Sequence, residues 1–299
     1  MGNNPITLHP SPFTLHCFFL LLLVALVAGC SALRLTYRQA DALLAWRANE
    51  YFDLNPLQRH DLDVRLERLL AWHRYEQLPD YAVFTRAAIA RVQQSLNRDD
   101  VVWLIEGVKA RYRVIVNRGS GDVAAMLATL EPEQINALQK QWHKVNRKFA
   151  NQNELDGSVE ERKRARLKKT LDRIQDWTGG LTYEQEQKIA ALLDAVPLIE
   201  HLRHADRIRR QQEFLQLHEM RANPQEFRPK LRAWLLDWES GRAPAYARLS
   251  GEVYAKRIEF YLAVDKLLTP GQRQIVLHRL QDYADDFHAL AEKPQLAGP

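Results

Sequence analysis

The sequence predicts an all-α fold, a multi-helix bundle of antiparallel hairpins packed in layers behind an apolar amino-terminal segment. Three observations predict it. Glycine is only 12 of 299 residues, and Ala, Leu, Arg, Glu and Gln, all good helix formers, dominate. No alternating run of β-branched residues is bounded by hairpin turns. The nearest, Val114-Ile115-Val116, ends a segment of helical character, and Asp156-Gly157 sits between two charged helical segments. Finally, a phrase with the chemistry of a helix start recurs four times along the chain.

The phrase reads Leu54-Asn55-Pro56-Leu57-Gln58, then Leu130-Glu131-Pro132-Glu133-Gln134, Leu181-Thr182-Tyr183-Glu184-Gln185 and Leu268-Thr269-Pro270-Gly271-Gln272. Asn or Thr at the second place suits an N-cap, whose side-chain oxygen accepts from an orphan backbone N–H. Proline suits the first helical position, where its missing donor is not needed. Gln58, Gln134, Gln185 and Gln272 stand where a side chain can reach back to the N–H of the cap and close a capping box. Asn55, Thr182 and Thr269 are therefore expected as N-caps, and Glu131 as the poorest of the four. The glutamines are 76, 51 and 87 residues apart, too irregular for a short-period solenoid.

These punctuators set the elements in order. Residues 17–29 are an unbroken apolar run of 13 residues, the length of a signal-peptide core and short of the roughly 20 that span a bilayer. A first helix is expected over 32–53 and a second over 56–77, with Leu62, Leu66, Leu69 and Leu70 on its buried stripe. Pro79 is expected to start a third, to about residue 96, and 99–116 to form a fourth. Gly119 and Gly121 then separate off a short helix at 122–129. Two long charged helices follow at 132–155 and 158–177. Residues 182–222 read as one long helix that Pro197 breaks or kinks. Helices at 224–239, 244–267 and 270–293 complete the set, the last with Val276, Leu280, Tyr283, Phe287 and Leu290 at heptad spacing. The organisation is thus a signal peptide over 1–29 and one helical domain over 30–299, with Asp156-Gly157 to Gly179-Gly180 as the place for a subdivision.

The apolar run closes on Leu26-Val27-Ala28-Gly29-Cys30, which resembles the lipobox of bacterial lipoproteins. The resemblance implies cleavage between Gly29 and Cys30 and lipid attachment, palmitate included, on the Cys30 thiol. Ser31 in place of aspartate implies sorting to the outer membrane, with the chain on its periplasmic face. One feature departs from the pattern: no Lys or Arg precedes the apolar run. The cysteine count agrees with the reading. Of the two cysteines, Cys17 leaves with the signal and lipidation uses Cys30, so no internal disulfide remains for an exported chain. About 270 residues are left, enough to bury about 70–75% of the unfolded surface in a core.

The recurring phrase resembles the LTxxQ motif of the helical periplasmic chaperones of the Spy and CpxP type, which implies a chaperone-like role. A wider resemblance rests on Leu35-Thr36-Tyr37 with Trp46, Tyr51-Phe52-Asp53-Leu54, Trp72-His73-Arg74, Leu78-Pro79-Asp80-Tyr81-Ala82 and Asp176-Trp177-Thr178-Gly179-Gly180. Together with the lipobox these are similar to a family of proteobacterial outer-membrane lipoproteins known only by a domain of unknown function. That implies an address and no activity.

The formal net charge is +5, and none of residues 1–33 is Lys, Arg, Asp or Glu. Basic density peaks at Arg162, Lys163, Arg164, Arg166, Lys168 and Lys169, a candidate patch for acidic envelope polymers, lipid head groups or acidic protein segments. An exported chain does not meet nucleic acid, despite the basic balance. His201 and His204 share a helix face at i, i+3 but supply only two metal ligands where three or four are needed, so no metal is assigned. His278 and Asp282 read as a surface pair, and Trp234 and Trp238 as core. No G-x-S-x-G, P-loop, GxGxxG or HExxH motif occurs, and no catalytic residue or cofactor is assigned beyond the lipid on Cys30. The leading reading is a non-enzymatic, membrane-anchored protein of the envelope that binds, chaperones or assists other envelope components. The alternatives are an enzyme acting on peptidoglycan or another envelope glycan, and a structural spacer of an envelope complex.

Overall fold

The computed structural model describes residues 32–292. The signal segment, Gly29 and Cys30 lie outside the described residues. The described residues form helices and turns and contain no strand. In chain order the α-helices are α1 (Ala32–Arg38), α2 (Ala40–Phe52), α3 (Pro56–Trp72), α4 (Leu78–Val92), α5 (Arg98–Leu127), α6 (Pro132–Gln152), α7 (Val159–Thr178), α8 (Tyr183–Asp194), α9 (Glu200–Glu219), α10 (Pro224–Leu236), α11 (Pro244–Leu267) and α12 (Pro270–Ala291).

Three details differ from the sequence reading. A turn at Gln39 divides the first expected helix into α1 and α2. Pro79 stands in the first turn of α4 as expected, but no loop precedes that helix. A π turn over His73–Gln77 joins α3 to α4, with the Leu78 N–H bonded to the His73 carbonyl five residues back. That wider turn absorbs the proline, whose missing donor and bulky ring break a regular α ladder. Gly119 and Gly121 do not separate a short helix: both lie inside the 30-residue α5. Glycine costs roughly 1 kcal/mol in a helix interior. The burial of Val116, Ala124, Met126 and Leu127 around the two glycines outweighs that cost. The break expected at Pro197 is complete: the chain leaves the helix between Asp194 and Glu200, so α8 and α9 are distinct elements.

The four phrases explain the topology. Each is the tight link between two successive helices, α2 to α3, α5 to α6, α7 to α8 and α11 to α12, and the helices joined by the first and third links pack on each other. In the first half of the chain α2 packs on α3 and α6, and α3 packs on α5. In the second half α7 packs on α8 and α12, and α8 packs on α11. The two halves therefore repeat one arrangement, 40–152 and 159–291, with the link between them at 153–158. Their inserted helices cross over. α4, from the first half, lies along α12 of the second; α9 and α10, from the second, lie on α6 and α5 of the first. Two cores result. One gathers Leu54, Leu127, Leu130 and Leu138 with Phe214, Phe227 and Leu231 from the inserted helices. The other gathers Ile189, Leu193, Val253, Phe260 and Val264.

Polar contacts fix each crossing. The buried Asp265 carboxylate accepts from the Leu96 N–H (3.1 Å) and from Arg273 (2.8 Å), whose guanidinium also donates to the Val92 carbonyl (2.9 Å). This ties the end of α4 to the link between α11 and α12. On the other side His218 of α9 bonds through Nε2 to the Leu127 carbonyl at the end of α5 (3.0 Å). Tyr112 Oη of α5 donates to the Leu235 carbonyl of α10 (2.7 Å).

Candidate functional site

The glutamines of the phrases do more than close their own helix starts. Asn55, Thr182 and Thr269 are N-caps, each accepting from the N–H of the glutamine three residues on. Glu131 precedes α6 without a side-chain cap bond, while its own N–H donates to Gln134 Oε1 (3.0 Å). All four glutamines are buried. Gln58 and Gln134, which start different helices, exchange a reciprocal pair of amide hydrogen bonds (2.9 and 2.7 Å). Gln58 Nε2 also donates to the Thr129 carbonyl (2.8 Å), and Gln134 Nε2 to the Phe52 carbonyl (3.1 Å). Gln185 and Gln272 repeat the pattern (2.8 and 3.0 Å), with further bonds to the Leu267 and Gly180 carbonyls (both 2.8 Å). Every amide thus uses both oxygen lone pairs and both N–H donors, so the buried polar groups carry no unpaired cost. The first hairpin of each half also turns through a positive φ just before the phrase, at Asp53 (50°) and Gly179 (78°). That turn aims the preceding carbonyls at the partner glutamine.

Beside the first clasp lies an apolar cavity of about 370 Å³. Its walls come from both halves: Tyr51 of α2, Leu66 of α3, Val123 of α5 and Trp142 of α6, with Phe214 and Leu231 from α9 and α10. Arg65 and Asp122 are the charged residues on its edge, joined at 2.6 Å, with Asp61 holding the other side of Arg65 at 2.7 Å. These carboxylates push the Arg65 pKa up, the hydrogen bond that Arg65 donates to Asp61 foremost. Two features bear on ligand binding. Gly119 lines the cavity and leaves open the space a side chain would fill; a Cβ there would meet only Leu69, at 3.8 Å. The indole N–H of Trp234, another lining residue, is buried and has no hydrogen-bond partner among the described residues. The volume falls in the range of small-ligand pockets, about 300–1,000 Å³. Apart from the Trp234 N–H and the Arg65–Asp122 pair at the edge, the lining offers water none of the two to four polar partners it needs.

The candidate basic patch is partly consumed by the fold. Arg166 donates to the Val196 (2.6 Å) and Leu193 (3.0 Å) carbonyls, closing the exposed end of α8. Burial lowers its pKa, with Glu200 and Asp194 opposing. Lys163 pairs with Asp194 (3.2 Å), Lys169 donates to Asn153 (2.8 Å), and Arg162 turns back to the Ser158 carbonyl. Arg164 and Lys168 are the two of the six that stand exposed. His201 is exposed, and His204 stacks on Phe149 with ring centroids 5.8 Å apart. No group of three His, Cys, Asp or Glu side chains converges for a metal among the described residues. His278 and Asp282 lie 3.6 Å apart on the surface of α12. Trp234 enters the first core, whereas Trp238 is exposed and rests on Tyr112.

The segments that carry the wider resemblance meet in space. Tyr37 is hydrogen-bonded to His73 Nδ1 (2.9 Å) in the π turn. His73 meets the Tyr81 ring edge-on, and Tyr81 meets Phe287. Trp177 continues the aromatic contacts through Tyr283. Burial lowers the His73 pKa, which keeps the ring neutral against its aromatic neighbours. Neither this cluster nor the cavity was foreseen from the sequence. The short segments around Tyr37, His73 and Tyr81 were a signal for the first; nothing local signals the second.

Comparison with protein families gives one match: residues 50–247 fit the model of DUF6279, a family of unknown function. The chain belongs to that family. No curated protein and no solved structure matches it.

Proposed function

We propose that this chain is a lipid-anchored protein of the bacterial envelope that works by binding rather than by catalysis. Cys30 carries the anchor, the outer membrane holds it, and the domain faces the periplasm. The apolar cavity receives an apolar segment of an envelope partner, such as exposed side chains of an unfolded client. The observation that carries this reading is the cavity itself: about 370 Å³ with apolar walls supplied by both halves of the chain. The lipobox supports the address. The four phrases, similar to those of the Spy and CpxP chaperones, support the role. Arg164 and Lys168, exposed on α7, supply attraction for acidic segments of such a partner. No cofactor is required beyond the lipid.

Photo-crosslinking in cells tests the reading. A benzoylphenylalanine in place of Val123, a cavity residue 41% exposed, should capture envelope partners. Gly119→Phe in the same background should abolish the adducts by filling the space. Adducts that persist unchanged in the filled variant would remove the cavity from the function.

A further inference from the structure

The chain just after the cysteine presents apolar side chains that no other described residue covers. Leu35 is 58% exposed, Leu43 44%, Leu44 45% and Trp46 62%, so four large apolar side chains stand open within 12 residues. α2 has no buried residue at all. Its inner side is nevertheless engaged, with Ala48, Tyr51 and Phe52 against the first core. α1 is held likewise, by Arg34 on the buried Asp286 and by Tyr37 on His73. On α2, at 100° per residue, Leu43 and Trp46 lie about 60° apart and opposite Ala48 and Phe52, while Leu44 lies nearer the inner side; Leu35 stands exposed on α1, across the turn at Gln39. The apolar stripe is therefore bare on a helix fixed from behind.

We infer that this outward face of α1 and α2 lies in the head-group region of the leaflet that holds the Cys30 lipid, and so fixes the domain on the membrane in one orientation. The inference rests on the anchoring proposed above. Cys30 is two residues before Ala32, and two extended residues reach at most about 7 Å. The start of α1 cannot leave the bilayer surface. The surface chemistry matches: leucines and a tryptophan, the residue enriched at membrane interfaces. Exposed Arg38 and Arg47 flank the stripe, Arg47 being paired with Glu50, and Asp41 and Asp53 are the exposed acids nearby. Cations of that kind favour anionic lipid head groups. A contact too weak to hold a free protein suffices here, because the anchor makes it intramolecular. The placement also bears on the cavity. The inner side of α2 contributes Ala48, Tyr51 and Phe52 to its wall, so one helix diameter, about 10–12 Å, would separate the cavity from the membrane surface.

The test uses the full lipidated protein reconstituted in vesicles of phosphatidylethanolamine and phosphatidylglycerol, with and without lipids brominated high in the acyl chain. The Trp46 signal is the difference between wild type and Trp46→Phe. Bromolipid should quench most of that difference emission. Leu35→Asp with Leu43→Asp should restore it, while the thermal unfolding midpoint stays unchanged because both residues are exposed. Mass spectrometry of the amino-terminal peptide is read on the same samples. A lipidated peptide with an unquenched Trp46 overturns the membrane-lying face and leaves the anchor intact. An unlipidated peptide overturns the anchor, and this inference with it. Quenching that persists in the double aspartate variant overturns the assigned stripe.

Discussion

Gln185→Ala gives the sharpest test of how the halves are closed. The substitution removes two donated bonds, to the Leu267 carbonyl and Gln272 Oε1, and two accepted ones, from the Thr182 N–H and Gln272 Nε2. Thr182 is exposed and recovers a water. The Leu267 carbonyl and one Gln272 N–H do not. At about 1–3 kcal/mol for each stranded buried group, the cost is about 2–6 kcal/mol. For a chain of this size each kcal/mol is worth roughly 2–4 °C, so the unfolding midpoint should fall by about 4–24 °C. Removing Gln272 as well adds less than its own single cost, because the exchanged bonds are lost only once. The coupling should be about 1–3 kcal/mol. Urea denaturation of the unlipidated protein, followed by far-ultraviolet circular dichroism, measures all three variants. A loss under about 0.5 kcal/mol for Gln185→Ala, or strict additivity in the double variant, would refute the clasp as the closing element.

Four further outcomes are expected. Gly119→Ala and Gly121→Ala should each raise stability by about 0.5–1 kcal/mol, since neither Cβ would meet a close atom; Gly107→Ala should lower it, because its Cβ would fall 2.3 Å from the Phe84 ring. Burial lowers the pKa of His73 and of His218, the latter against a raising effect from its Leu127 hydrogen bond. The unfolded chain therefore binds more protons, and stability is full above about pH 6.5 and falls as pH drops below it. Denaturant titrations across that range should show the fall, and His73→Asn with His218→Gln should flatten it. Arg166→Ala should cost about 1.5–3 kcal/mol in denaturation, as expected for charge-assisted bonds to carbonyls, whereas Arg164→Glu with Lys168→Glu should leave the midpoint unchanged and weaken salt-dependent binding of acidic partners. Cys30→Ala should leave an uncleaved precursor that incorporates no labelled palmitate; maturation and membrane fractionation like wild type would contradict the anchor.

The sequence and the structure agree wherever the physics is local. A capping box involves residues three apart, so Asn55, Thr182 and Thr269 could be read from composition and spacing alone. Which phrase meets which could not be read, because the second N–H of each glutamine bonds across 76 or 87 residues. The irregular spacing that argued against a repeat is the outcome: 76 and 87 lie within the two halves, and 51 between them. Gly119 and Gly121 misled because each has a strong local preference that tertiary packing overrides. The basic run misled in part for the same reason. Arg166 looks like surface on α7 until the end of α8, thirty residues on, supplies its carbonyls. The cavity has no local signature, since its walls are assembled from helices of both halves that only the crossing of α9 and α10 brings together.

The measurement that bears most directly on the binding role is a fluorescence titration of the unlipidated domain with a dansylated undecanoate, an apolar chain with an environment-sensitive reporter. Wild type should bind saturably at one site. Gly119→Phe, which fills the cavity, and Val123→Asp, which places a charge on its wall, should each weaken binding by about tenfold or more while keeping the helical spectrum of wild type. Binding that is absent in wild type, or equal in all three proteins, would contradict the account.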